Sequence, residues 1–230
     1  GIPITGVGAV TPVGLSAPAT CAALRAGITR ITPLEDDDTH GTMGDAPPPV
    51  GGRVPLEWFD GGPVEEEWPG HERFGASLPE PEHLFIEAGV DRLIRLAVPA
   101  IEECWNGSGG KGTPPEGWGL YVGVDSEEDP DSLGRLSSAL TDALGGFKPG
   151  VVEVLPYGRA SGLGALFRAS AAITEGRVAG AIVGGVDSLV RPEVRARLLE
   201  RGFLKDPDSN PQGVLPGEAA AFCVLEKNPQ

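Results

Sequence analysis

A short turn in the second half of the chain has the local layout that presents a catalytic nucleophile. It connects a predicted strand, Val151–Leu155, to a predicted helix, Ala160–Glu175. A nucleophile at the start of such a helix gains from the helix dipole and from free backbone N–H groups. The turn instead carries Arg159, a permanent cation that cannot accept an acyl group. We therefore expect no catalytic residue, metal ion or cofactor in a pocket whose candidate residues are Arg159, Gly158, Ser161, Asp187 and Glu218.

Other candidate nucleophiles are weaker. Ser161 has no base of known role nearby, and a serine at a helix start is usually a cap, so we predict a capping role. Cys21, Cys104 and Cys223 are widely spaced and form no CxxC pair, which argues against a disulfide framework or a zinc site. We expect at least two of them to be small buried side chains. A reducing cytoplasm is the predicted location.

The helix after the turn is apolar on nearly all sides. Only Arg168, Thr174 and Glu175 seriously interrupt its run of small and apolar residues. Such a helix is usually buried all round, and a single sheet can cover only one side of it. The pattern therefore predicts a second cover on the opposite side.

Strands and helices alternate along most of the chain, which predicts an α/β fold with a five-stranded, mainly parallel sheet and helices on both faces. The predicted strands are Ile2–Val10, Trp118–Val124, Val151–Leu155, Ala179–Val183 and Ala219–Glu226. The predicted helices are Pro18–Ala26, Glu82–Trp105, Asp131–Leu144, Ala160–Glu175 and Arg191–Arg201. Pro99 is expected to kink or split the second helix.

We expect a single domain over residues 1–230, with a long irregular loop region at about residues 32–81. The acidic run Glu35–Asp38 and His40 could chelate a hard cation, but the spacing is not that of a calcium loop, so a solvated loop is the better prediction. The net charge is −15, which disfavours nucleic acid and anionic membranes as partners. The first ten residues predict a strand and not a signal peptide, and no apolar run could span a membrane.

Four motifs together resemble the N-terminal half of the β-ketoacyl synthases, condensing enzymes of the thiolase-like superfamily. They are the opening strand and turn Thr5–Gly14; the helix Ala160–Ile173 with Gly176 and the strand end Gly184–Ser188; the turn Gly213–Ala220; and the strand Ala221–Glu226. The resemblance covers nearly the whole chain and is poor at Thr32–Pro81. It implies a thiolase-like half of a fold in which two similar halves stack as five layers.

The resemblance also implies which functional residues are replaced. The family has a catalytic cysteine at the start of the buried helix, and counting back from Ile173 and Gly162 places Arg159 there. Its two catalytic histidines lie in a C-terminal half that this chain lacks, whereas His40, His71 and His83 all fall earlier. The segment Gly123–Gly150 is also short for the family's substrate-tunnel and dimer segment. The resemblance, to acyltransferases of the 3-oxoacyl-ACP synthase type, therefore implies the fold without the reaction.

These points favour a non-catalytic protein in fatty-acid or polyketide synthesis that acts as a homodimer or as a heterodimer with a ketosynthase-like chain. Two other uses of Arg159 stay open. It could bind an anion, such as a phosphopantetheine phosphate or an acyl carboxylate, although a salt bridge to Asp187 or Glu218, or to a partner chain, is the more frequent fate of an arginine. It could also serve an enzyme of different chemistry, with Glu153 or Asp187 as base.

A cluster of cations stands out in this acidic chain, and it comprises Arg191, Arg195, Arg197, Arg201 and Lys205. On a helix, Arg191 and Arg195 share a face, as do Arg197 and Arg201. The cluster could dock an acidic partner such as an acyl carrier protein. A solvated helix face is the alternative.

Overall fold

Small and apolar residues alternate with turns to give seven strands and five helices in the part of the chain that the computed structural model describes, residues 1–34, 50–55, 89–125, 128–205 and 210–227. The strands are β1 (Ile4–Val10), β2 (Thr32–Pro33), β3 (Val50–Gly51), β4 (Gly119–Gly123), β5 (Val151–Leu155), β6 (Gly180–Ser188) and β7 (Glu218–Glu226). The helices are α1 (Ala17–Arg25), α2 (Val90–Gly107), α3 (Pro130–Ala143), α4 (Ser161–Thr174) and α5 (Pro192–Glu200).

The main sheet has five strands in the order β1-β7-β6-β4-β5. The strand β4 pairs in parallel with β5 and β6, while β7 pairs antiparallel with β6 and β1. Four strands therefore run in one direction and β7 runs against them. The predicted α/β fold with a five-stranded, mainly parallel sheet is confirmed, and β2 and β3 form a separate two-stranded ladder.

The two faces of the sheet are covered by different helices. On one face, α2 and α3 pack on apolar side chains such as Val10, Val122 and Phe222. On the other face, α4 packs on Tyr121, Val183 and their neighbours. Helices thus lie on both faces, as predicted. The helix α2 continues through Pro99 without a break, so the predicted split is wrong, and the start predicted for this helix at Glu82 lies outside the described residues.

The contact between β1 and α2 depends on two glycines in the opening strand. A Cβ atom at Gly8 would lie 2.0 Å from the carbonyl oxygen of Ala100, and one at Gly6 would lie 2.0 Å from that of Cys104. Only glycine lets the two backbones approach this closely. The glycines of the opening motif are therefore needed for packing, and they do not form a ligand loop.

The described helices include none long and apolar enough to cross a membrane.

Replacing Gly8 with alanine should destabilise the fold by about 3 kcal/mol, because the new methyl group overlaps the α2 backbone. The matched control is Gly134→Ala in α3, where an added Cβ meets nothing within 4 Å. Because alanine favours a helix more than glycine does, this change should raise the free energy of unfolding by about 0.5–1 kcal/mol. Urea unfolding at one fixed protein concentration measures both changes. Equal stability of the two variants would contradict this packing.

Candidate functional site

The turn that carries Arg159 lies between β5 and α4, beside the ends of β4 and β6. After β5 the chain passes Pro156 and Tyr157 and enters a 3₁₀ turn, Gly158–Ala160, that leads directly into α4. Gly158 has φ of +63°, in the left-handed region that disfavours residues with a side chain. Arg159 sits in this turn at the tip of α4 and is exposed.

Ser161 anchors the start of α4 to the end of β4. Its Oγ accepts a hydrogen bond from the backbone N–H of Tyr157 at 3.0 Å, and its one proton is shared between the carbonyl oxygens of Val124 and Gly158. The residue is 3% exposed. No side chain caps α4, so the predicted capping role of Ser161 is wrong. Its hydroxyl instead closes the preceding turn, where it both accepts and donates hydrogen bonds within the fold.

Glu218 is buried in a hydrogen-bonded ion pair with Arg92 of α2. Arg92 Nε donates to Glu218 Oε2 at 2.9 Å, and a second bond joins the guanidinium to the other carboxylate oxygen. Glu218 also accepts from the backbone N–H of Val54 at 2.7 Å and from Ser188 Oγ at 2.8 Å. The carboxylate thus joins α2, β6, β7 and the segment 50–55. The predicted pairing of Glu218 with Arg159 is wrong, because Arg92 already neutralises it.

Asp187 lies at the end of β6, on the same edge of the sheet as Arg159. Its Oδ1 accepts a hydrogen bond from the backbone N–H of Ser188 at 2.7 Å. Burial raises the pKa of Asp187, that hydrogen bond opposes the rise, and the nearby carboxylate of Asp125 adds to it. Among the described residues, no carboxylate forms an ion pair with Arg159. The predicted salt bridge between Arg159 and Asp187 is therefore wrong as well.

Two of the five cations in the predicted docking patch are internal. Arg191 is 2% exposed and Arg195 is 6% exposed. Arg191 forms ion pairs with Glu128 and Glu193, and its Nε donates to the carbonyl oxygen of Ser188 at 3.1 Å. The spacing that places Arg191 and Arg195 on one face of α5 places that face inward. A five-residue surface patch is therefore wrong.

The other three cations of that patch differ in exposure. Arg197 is partly buried and lies 3.8 Å from Asp125. Arg201 and Lys205 are exposed. Of the five predicted patch residues, only these last two are exposed.

None of the three cysteines can replace a nucleophile at the tip of α4. Cys21 is exposed on α1, Cys104 is buried in α2, and Cys223 is partly buried on β7. Burial raises the pKa of Cys104 and of Cys223, which disfavours a reactive thiolate. The prediction of buried cysteines is confirmed for Cys104 and holds in part for Cys223.

The part of the chain that the structure describes adds no metal site. Within the described ranges, no group of three or more His, Cys, Asp or Glu residues is arranged to hold a metal ion. The acidic run Glu35–Asp38 and the three histidines His40, His71 and His83 lie outside the described residues.

Comparison with known proteins identifies the fold. Residues 158–230 match the family model of the beta-ketoacyl synthase N-terminal domain. A comparison with curated proteins found no match. Because the family match begins at the candidate turn, the motifs around α4, β6 and β7 carry the resemblance predicted from the sequence.

Solved structures of three ketosynthase-like proteins superpose on nearly the whole chain. The ketosynthase from module 6 of the bacillaene synthase from Bacillus subtilis 168 has a TM-score of 0.62 and 20% identity, over 98% of this chain and 40% of that one. The ishigamide ketosynthase/chain length factor gives 0.68 and 22%, over 98% and 58%. A beta-ketoacyl synthase from Burkholderia phymatum STM815 gives 0.64 and 18%, over 99% and 59%.

At these identities the likeness shows the fold alone. The predicted thiolase-like, ketosynthase fold is therefore confirmed. This chain spans 40% to 59% of the length of these three relatives.

The buried pair of Arg92 and Glu218 gives a direct test of the role assigned to Glu218. Replacing Arg92 with methionine leaves a buried carboxylate without its cation and should cost about 3–5 kcal/mol of unfolding free energy. The control is Arg135→Met, which removes an exposed ion pair with Asp91 and should cost less than about 1 kcal/mol. If denaturant unfolding shows the same small loss for both variants, Glu218 is not held as described.

Proposed function

We propose that this chain is a ketosynthase-like subunit that works by association and does not itself catalyse condensation. The observation that carries the proposal is the state of α4, whose tip holds an exposed arginine and whose outer face has no cover in the described structure. The absence of condensation is argued from the tip of α4, and association is argued from its outer face.

The tip of α4 supports the absence of condensing chemistry. The resemblance places a cysteine nucleophile at the position that Arg159 occupies. A guanidinium cannot form a thioester. Cys104 is buried on the other face of the sheet, and Cys21 lies on α1. The site therefore lacks a sulfur atom that could receive an acyl group at the helix tip.

The outer face of α4 supports association. Ser161, Ala165, Ala169 and Ala172 are buried against the sheet, whereas Leu163 and Phe167 on the opposite side are each 74% exposed. Tyr157, which lies beside Gly164 of α4, is exposed as well. Contiguous exposed apolar side chains mark interaction surfaces. The sequence predicts that α4 is covered on the side opposite to the sheet, and that side is still exposed in the described structure.

The family resemblance suggests the setting. One of the structurally similar proteins carries the paired name ketosynthase/chain length factor. By analogy, we place this chain in the cytoplasm, in fatty-acid or polyketide synthesis, as one half of a homodimer or of a heterodimer with a ketosynthase-like chain. An acyl carrier protein would bind such an assembly mainly through other surfaces, since only Arg201 and Lys205 of the predicted patch are exposed.

The proposal predicts that the purified chain takes up no acyl group. Incubation with an acyl thioester, followed by intact mass spectrometry, should show no adduct on the wild-type chain or on the Cys21→Ser variant. The Arg159→Cys variant should gain one adduct, because the start of α4 favours a thiolate there. An adduct on the wild-type chain that survives Cys21→Ser would contradict the proposal.

Association is measured on the same material. Sedimentation at micromolar concentration should show a complex heavier than one chain, formed either by the chain alone or with a ketosynthase-like partner copurified from the native host. A stable, folded monomer that recovers no such partner would refute this half of the proposal.

Anion binding at Arg159 is a second candidate function. It is favoured by one specific observation: Arg159 is exposed, has no ion-pair partner among the described residues and stands at a helix start without a side-chain cap. Helix starts and arginines both favour phosphate. Calorimetry should detect binding of phosphopantetheine that Arg159→Ala weakens at least about tenfold, equivalent to about 1.4 kcal/mol. Equal binding by both proteins would exclude this use of Arg159.

A further inference from the structure

Tyr121 of β4 carries a buried hydroxyl group without a hydrogen-bond partner. The residue is fully buried, and its hydroxyl oxygen makes no hydrogen bond within the described structure. The large majority of buried side-chain polar atoms in proteins bond to a neighbour or to an ordered water, and an exception often marks the place of an ion. The phenol is therefore a candidate contact for a ligand.

The packing of the ring shows where this hydroxyl points. A Cβ atom at Gly119 would lie 2.4 Å from Cε2 of Tyr121, so the ring leans over Gly119, toward the start of β4. Because β4 and β6 are parallel, β6 starts at the same edge of the sheet, and Arg177 lies in the turn that connects α4 to β6. This edge is opposite to Arg159, since the 14 residues of α4 span about 20 Å.

Charged side chains of three elements meet at this phenol. Tyr121 lies opposite Glu153 of β5 in the ladder, and Arg168 of α4 donates to both carboxylate oxygens of Glu153, at 2.8 and 3.1 Å. Arg177 donates to Glu175 at 2.7 Å. Burial raises the pKa of Tyr121, and the Glu153 carboxylate adds to the rise. The guanidinium groups of Arg177 and Arg168 oppose it, which places both cations near the ring.

These neighbours do not supply the acceptor that the phenolic proton needs. A guanidinium carries only N–H donors, so neither Arg168 nor Arg177 can accept the proton. Glu153 could accept it, but both of its oxygens are bound by Arg168. A ligand that fits here must therefore bring acceptor oxygens, and negative charge on those oxygens would strengthen its bonds to the guanidinium groups.

Both arginines have donors left for such a ligand. Among the described residues, Arg177 hydrogen-bonds only through Nε, and Arg168 uses Nε and one terminal nitrogen. Both side chains are exposed, and an exposed ion pair contributes little to stability. The two guanidinium groups can therefore turn toward a new partner at small cost.

We propose that Tyr121, Arg168 and Arg177 bind a phosphate group, either as inorganic phosphate or as a phosphate monoester. The phenol donates to one phosphate oxygen and the guanidinium groups donate to the others, which suits a tetrahedral anion with several acceptors. The hydroxyl is closed to solvent, so the phosphate reaches it when the Arg177 side chain turns outward. The C-terminal end of α4 disfavours an anion, but this effect is weaker than one charge-assisted hydrogen bond.

The chain contains two tyrosines, so NMR of ¹³C-labelled tyrosine rings tests the site directly. Inorganic phosphate should shift the ring signals of Tyr121, and acetate at the same ionic strength should not. Tyr157→Phe assigns the two sets of signals. If phosphate leaves Tyr121 unchanged, or if acetate shifts it equally, the inference is wrong.

The same signals distinguish the two sources of phosphate. Phosphopantetheine is the monoester probe, titrated in parallel with inorganic phosphate. Tighter binding of phosphopantetheine would assign the site to a monoester, and tighter binding of inorganic phosphate would assign it to the free anion. A shift of Tyr157 alone would place the phosphate at Arg159 and overturn the inference without touching the association proposed above.

Variants tested by calorimetry identify the residues that bind. In an Arg159→Ala background, which removes the other proposed phosphate site, Tyr121→Phe and Arg177→Met should each weaken the binding of inorganic phosphate about tenfold, because each removes a hydrogen bond to a charged group. Arg135→Met, which also removes an exposed paired arginine, is the matched control and should bind as the background does. Circular dichroism checks that each variant folds. Equal phosphate affinity of all three variants would contradict the proposed site.

Discussion

The close approach of α4 to the sheet is the constraint on which the site depends. A Cβ atom at Gly123 would lie 2.4 Å from the backbone of Ser161, so only glycine at the end of β4 lets α4 begin there. Ser161 then fixes the turn through Tyr157 and Val124. Because this packing needs small residues on the inner side, it fixes the tip of α4 at the edge of the sheet and leaves the larger side chains, Leu163 and Phe167, outside.

The turn at the tip of α4 carries Arg159. This arginine is exposed, and the two carboxylates predicted as its partners have other partners. Glu218 is bound by Arg92, and Asp187 by the backbone of Ser188. The fold is therefore maintained by buried polar bonds that do not involve Arg159.

Much of this was predictable from local patterns, and the errors have specific causes. The alternation of strands and helices, together with the family motifs, predicted the sheet and its helices. The apolar character of α4 predicted that one side of it needs a partner. The predicted end of β6 at Val183 is too early, because the ladder with β7 runs on to Ser188. Helical spacing showed that Arg191 and Arg195 share a face, but only tertiary contacts decide that this face is buried. Arg92 was missed because a single cation on an apolar helix has no partner visible in sequence.

The central claim is that the outer face of α4 is covered in solution. Hydroxyl-radical footprinting of the purified chain at micromolar concentration tests it with two phenylalanines of the same chain. In the single chain Phe167 is 74% exposed and Phe203 is 53% exposed. The account predicts that Phe167 is oxidised more slowly than Phe203, and that the order reverses on dilution. Faster oxidation of Phe167 at every concentration would show that α4 stays bare and would contradict the account.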